Sequence, residues 1–448
     1  MEKKILLLLL FALVVIKGCS GAVNQNQYQQ QNKKKPSGVG VIGSSVVFPI
    51  RGNVYPDGYF YTVLLMGNPP KPYYFDIDTG SDLTWLQCDA PCVSCSKVPH
   101  PLYRPNKNGL IFCSDPVCAS LHTPENYKCL KPNEQCDYEV EYADQASSLG
   151  VLVRDVFPLR FTNGSLLGPR LAFGCGYDQQ VSSATVSPTD GVLGLGNGKS
   201  SIVSQLRNMG LIQNVIGHCF SGRGGGFMFF GDDLVPSQRV VWTPMSKSSS
   251  HKHYSPGLAE LLFGKQSTGV KNLLVIFDSG SSYTYFTSEA YRAVISSVRK
   301  DLTGKPLKVT DDDSLPVCWK GPKPFKSIRD VKKYFNSFVL SFADGKKAQL
   351  ELPPEAYLII TVHGNVCLGI LNGTEVGLQD INILGDISLQ DRMVIYDNEK
   401  QQIGWVAADC NRLPKSGKSV DHDDEDWSQP WTFNTGILQE QSAGIDTL

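Results

Sequence analysis

Two stretches of this chain carry the same marks in the same order. Tyr73-Tyr-Phe-Asp-Ile-Asp78-Thr79-Gly80-Ser81 and Leu274-Val-Ile-Phe-Asp278-Ser279-Gly280-Ser281 each read as an apolar strand running into Asp-Thr/Ser-Gly-Ser. Gly194, closing Val192-Leu193-Gly194, follows Asp78 by 116 residues; Gly385, closing Ile383-Leu384-Gly385, follows Asp278 by 107. One Asp-Thr-Gly is nearly uninformative. Two, each paired with an apolar-apolar-Gly mark, constrain the chain to two similar halves. Its 448 residues suit that division, since a single core rarely serves more than about 250–300.

The repeated residue types point to one chemistry. An Asp at the end of a strand, followed by Thr/Ser-Gly, sits in a tight turn. Glycine permits an unusual backbone there and lets another chain approach closely. The hydroxyl is expected to bond local backbone groups and hold the carboxylate still. If the halves pack about a pseudo-twofold axis, Asp78 and Asp278 meet. Two carboxyls that close share a proton at acidic pH, so the pair holds a base and an acid together. The base takes a proton from a bound water while the acid polarises a carbonyl. That is hydrolysis of an amide without a covalent intermediate.

With these motifs the sequence resembles the pepsin-like aspartic proteases over residues 45–410, and within them the plant nepenthesin-like and nucellin-like group. The cysteine-rich insert after Trp85-Leu-Gln-Cys88 and the short leader carry the second likeness. Only 132 residues separate Asp278 from Cys410, which leaves no room for a saposin-like insert. The resemblance implies an all-β, bilobal double barrel with a long interlobe cleft and few short helices. It implies Asp78 and Asp278 as the catalytic pair, with Thr79, Gly80, Ser81, Ser279, Gly280 and Ser281 supporting them. Glu141 to Gly150 resembles the flap, with Tyr142 as its substrate-contacting tyrosine and Trp85 as the supporting tryptophan. Ala143 and Gln145 stand where the usual Tyr-Gly-Asp-Gly-Ser has glycines. The resemblance further implies disulfides Cys318–Cys367 and Cys219–Cys410. A catalytically inactive relative of the same fold, acting as an inhibitor or binding protein, is the rival reading; the intact motifs weigh against it.

The ends speak to compartment. Lys3-Lys4, an apolar run from Ile5 to Ile16, and small residues after it read as a secretory signal peptide over 1–21. Twelve apolar residues are too few for a membrane span, which needs about 20. Residues 22–44 read as a leader or short pro-segment, 45–245 as a first β-lobe with an insert at 88–136, and 246–410 as a second. Residues 411–448, with three Lys/Arg against seven Asp/Glu, read as an acidic disordered tail. Cys19 lies in the signal region, leaving 12 of 13 cysteines, an even number that suits disulfides in the secretory pathway, extracellular or vacuolar. The spacing Cys88-x3-Cys92-x2-Cys95 also permits zinc, but the signal peptide favours disulfides, and no metal is expected. Asn163-Gly-Ser and Asn372-Gly-Thr are glycosylation sequons.

A net charge of −1, falling to −3 once residues 1–21 are removed, excludes a generally basic binder of nucleic acid or anionic membranes. There is no Gly-x-Ser-x-Gly for a serine hydrolase. Gly198-Lys-Ser lacks the earlier glycine of a phosphate loop, and His251-Lys-His253 lies in a Ser-rich connector. The expected partners are polypeptide substrates, met by a monomer without a cofactor.

Overall fold

The computed structural model describes residues 45–413, apart from 91–94, 96–97, 99, 123–128, 144–145, 181–187, 247–252, 344–347 and 379. The signal and leader segments, Cys92, the flap tip at Asp144 and Gln145, His251, and the tail beyond 413 lie outside the described residues. No helix among the described residues is long and apolar enough to cross a membrane.

The chain is built from strands, as its β-branched and aromatic runs predict. Val46–Asn53, Tyr59–Met66 and Lys71–Asp78 form an antiparallel meander. Alternation along the third sends Phe75 and Ile77, both 0% exposed, into the core, and turns Asp76 and Asp78 to the other face. Helices are few. Ile202–Asn208 starts at Ser201, whose hydroxyl accepts from the backbone N–H of Ser204, and Ser288–Asp301 buries Ala290, Val294 and Val298 at helical spacing. The Gly-rich run 222–226 turns the strand Val215–Phe220 back into Gly226–Phe230, with Gly224 and Gly225 at φ of 90° and 72°.

The two apolar-apolar-Gly marks share one architectural role. Gly191–Gly194 runs parallel to Lys71–Asp78, with Gly194 beside Asp78. Asn382–Leu384 runs parallel to Leu273–Phe277, with Leu384 beside Phe277. A Cβ on Gly194 would lie 2.6 Å from the carbonyl carbon of Asp82, and one on Gly385 would lie 2.1 Å from the carbonyl oxygen of Tyr283. Each mark therefore ends in glycine because the loop following the motif Asp crosses directly over it.

The halves are less separate in space than in sequence. The hairpin Arg392–Asp397 and Gln402–Ala407 belongs to the second half by position, yet Arg392–Asp397 pairs with Val215–Phe220 and extends the thirteen-stranded sheet of the first. Near residue 245 the chain does pass from that sheet, at Val241–Pro244, to the eight-stranded one, at Tyr254–Phe263, and the hairpin Arg392–Ala407 then returns to the first. Cys219–Cys410 fastens this return, and Cys318–Cys367 joins paired strands in the second half. In the insert, Cys113 pairs with Cys129 and Cys118 with Cys136, while Cys88 reaches out to Cys175 on the strand Arg170–Gln180. The sulfurs of these pairs are bonded to one another, so they are not thiolates open to a metal.

Candidate active site

Asp78 and Asp278 emerge from the two matched strands and meet with their carboxyls within hydrogen-bonding reach. Each is held by its own loop in the same way. The Gly80 N–H donates to Asp78 Oδ1 at 2.7 Å and the Ser81 hydroxyl to Oδ2. The Gly280 N–H donates to Asp278 Oδ1 at 2.9 Å, and the Ser281 hydroxyl to Oδ2 at 3.0 Å.

The intervening hydroxyls do not brace their own loops, as the sequence suggests, but each other's. Thr79 Oγ1 accepts from the Ser279 N–H at 3.0 Å and donates to the carbonyl of Phe277 at 3.2 Å. Ser279 Oγ accepts from the Thr79 N–H at 3.1 Å and donates to the carbonyl of Ile77 at 2.8 Å. Both side chains are buried, at 0% and 3% exposure, so these four bonds compete with no water. The reason for the crossing is the pseudo-twofold contact itself, which brings the partner loop closer than the rest of its own. Nor do the glycines serve an unusual backbone, since neither Gly80 nor Gly280 has positive φ. They serve close approach. A Cβ on Gly80 would stand 2.6 Å from Asp278 Oδ1, and one on Gly280 2.6 Å from Asp78 Oδ1.

Electrostatics follow from this burial. Asp78 is 5% exposed, and burial first, then the charge of Asp278, raise its pKa above the ordinary carboxylate range. The pair consequently retains a proton where separate carboxyls would lose both. Tyr142 follows the strand Asp137–Glu141, its N–H donating to the carbonyl of Ala146 at 2.8 Å to close the hairpin. Its hydroxyl accepts from Trp85 Nε1 at 2.6 Å and hydrogen-bonds Ser81. Trp85, 8% exposed, also packs on Leu83, Ile111 and Tyr138, so it is both a core residue and the post that holds the tyrosine over the dyad.

The carboxyl pair, Tyr142 and Trp85 line one cleft of about 1000 Å³. Several of its polar residues escape the motif reading. Asp76 lines it, pushed up to about 7 by burial. Asp386, next after Gly385, is 1% exposed and raised well above its ordinary value by burial and then by Asp278. Beneath the dyad, the Tyr396 hydroxyl bonds Thr79 and lies 3.1 Å from His218 Nε2. Burial holds that histidine neutral, its pKa down at about 3. The available signal is Asp76 inside an otherwise apolar motif strand and Asp386 directly after the second Ile-Leu-Gly mark, where it starts the short helix Asp386–Leu389; nothing in the sequence places His218 or Tyr396 near Thr79. Of the sequons, Asn163 is exposed on a turn, whereas Asn372 is half-buried, its Nδ2 donating to Glu375 Oε1 at 2.8 Å.

Family models described as "Xylanase inhibitor N-terminal" and "Xylanase inhibitor C-terminal" match residues 60–232 and 261–407. The chain is 47% identical to an aspartic proteinase of Oryza sativa subsp. japonica over 390 residues, covering 84% of this chain and 94% of that protein. It is 26% identical to aspartic proteinase nepenthesin-1 of Nepenthes gracilis over 377 residues, 79% of this chain and 78% of that one. Among solved structures it is similar to basic 7S globulin from soybean, with a TM-score of 0.65 at 18% identity, covering 83% of this chain and 99% of that chain.

Proposed function

This chain belongs to the plant pepsin-like aspartic endopeptidases, and on that premise we propose that it hydrolyses polypeptides at acidic pH through a water activated by Asp78 and Asp278. The observation that carries the reading is the dyad with its crossed brace, two carboxyls fixed by four donors while Thr79 and Ser279 lock the loops together. A water bound between the carboxyls gives a proton to the ionised member and attacks the scissile carbonyl. The protonated member donates to the carbonyl oxygen, then the proton passes to the leaving amine. No covalent intermediate forms. The raised Asp78 keeps the singly protonated pair populated over a wider range than two independent carboxyls would. An extended peptide lies across the cleft by backbone hydrogen bonds, with Tyr142 above it.

We place the protein on the secretory route, extracellular or vacuolar, as a monomer glycosylated at Asn163. The signal-like N-terminus, the disulfides and the exposed sequon support that placement. A binding role without catalysis is the second reading, favoured by the inhibitor descriptions of the matched family models. The two separate cleanly in one experiment. Oxidised protein is incubated with a denatured protein substrate from about pH 3 to 7, with and without a statine-type peptide inhibitor. Cleavage that peaks in acid and is blocked by the inhibitor supports the endopeptidase; a folded protein that cleaves nothing across the range supports the binding role.

A further inference from the structure

The cleft around the dyad is not symmetric. Two residues before Asp78 stands Asp76; two before Asp278 stands Ile276. Side chains two apart on a strand share a face, about 7 Å apart, and both residues line the cleft. Asp76 is in register with Val192, and Val192 with Trp85, so this carboxyl belongs to the wall beneath Tyr142. Thr189 Oγ1 donates to its Oδ2 at 2.9 Å, but its Oδ1 is buried with no hydrogen-bond partner. On the same side, Gln87 is 4% exposed, lines the cleft, and also has an amide oxygen without a partner. No Lys or Arg lines the cleft among the described residues. The other wall carries Ile276, Leu378, Ile381 and Ile383, with Glu375 exposed and Asp386 buried beside them, the latter's Oδ1 also without a partner.

Buried acceptors left empty are costly, and more so when one is a carboxylate. The threonine satisfies one oxygen of Asp76, so an internal structural bond does not account for the other. Its environment lacks a cation, so with only that hydroxyl opposing burial its pKa stands at about 7 and the empty site is protonated in acid; a cation placed beside it draws the carboxyl back toward ionisation. An ammonium or guanidinium brings three to five donors and the missing positive charge.

Building on the endopeptidase reading, we propose that Asp76 is a specificity-determining residue: the wall of Asp76 and Gln87 receives a Lys or Arg side chain of the substrate, and the wall of Ile276 an apolar one. At about 3.3 Å per residue of extended peptide, the basic residue lies within about two or three residues of the bond cut.

The test is a peptide series in which Lys, Met or Glu is placed in turn at each of the three residues on either side of the cleaved bond. Active sites are counted by titration with a statine-type inhibitor, so partial misfolding of a variant does not enter kcat/KM. At one position the wild type is expected to prefer Lys to Met by about tenfold or more. Asp76→Asn brings that ratio to about one, and Asp76→Glu, which keeps the charge, retains a preference. Absence of a Lys preference at every position, or its survival in Asp76→Asn, overturns the inference while leaving the endopeptidase intact. A wild type that cleaves neither these peptides nor a denatured protein overturns the endopeptidase reading and this inference with it.

Discussion

The two halves agree at the dyad and part company two residues away. Asp78 and Asp278 each take one N–H and one hydroxyl from their own loop, and each loop lends a hydroxyl to the other. Upstream, Asp76 faces the cleft in the first half and Ile276 in the second. After the glycine of each apolar mark stands Leu195 in the first half and Asp386 in the second, both buried. A reaction in which two carboxyls exchange roles needs both held alike; binding an asymmetric peptide needs walls that differ. On the function proposed above, the matched residues are the ones assigned to catalysis, and the mismatched Asp76 and Ile276 are the ones proposed to tune what they act on.

The largest effect expected from breaking the match is steric. Gly80→Ala and Gly280→Ala each drive a methyl to 2.6 Å from the opposite carboxyl, and a displacement near 1 Å costs about a hundredfold in turnover. Both variants should lose about that much kcat, measured against inhibitor-titrated sites. A loss confined to one would show that the halves are not equivalent. Thr79→Val and Ser279→Ala come next. Each deletes a buried hydroxyl that accepts one bond and donates another. Each should lower stability by about 1–3 kcal/mol, read by denaturant unfolding, and by similar amounts.

The smallest effect concerns a mismatch. Asp386 has a raised pKa in the folded protein, so the native state keeps a proton that the unfolded state releases above about pH 4. Its contribution is thus lost as pH rises from that point. Asp76, up to about 7, and Asp78 act in the same direction. His218 opposes them: its pKa is lowered to about 3, so it costs stability as pH falls below about 6.5. With three carboxyls against one histidine, the thermal midpoint should decline between pH 5 and 7. Asp386→Leu, which copies Leu195, should flatten that decline; an unchanged slope would show that Asp386 is not the buried acid described here.

The aspartate pair and the two β-rich halves are legible in the sequence because a repeated motif reports itself twice; Tyr142 is legible only through the family resemblance of Glu141 to Gly150. Other features are not, for physical reasons. The strand Arg392–Asp397 of the C-terminal hairpin pairs with Val215–Phe220 across 174 to 182 residues, and no local pattern encodes so distant a partner. Cys88 finds Cys175 rather than a neighbour in its own cluster because its strand Trp85–Gln87 runs parallel to Arg170–Gln180. The crossed brace is hidden because hydroxyls commonly bond their own backbone, and only the second loop offers the alternative. Asp76 and Asp386 lie in plain view, one in a motif strand and one at the start of the short helix after the second apolar mark, but a polar letter beside apolar ones gains meaning only when what it faces is known.

The central claim is that Asp78 and Asp278 form one catalytic unit, and the most direct measurement is turnover of Asp78→Asn and Asp278→Asn beside the wild type at acidic pH, with circular dichroism and unfolding to establish that each is folded. The account predicts that either substitution lowers kcat by about a hundred- to ten-thousand-fold in a protein with an intact fold. Near wild-type cleavage by either variant would contradict it.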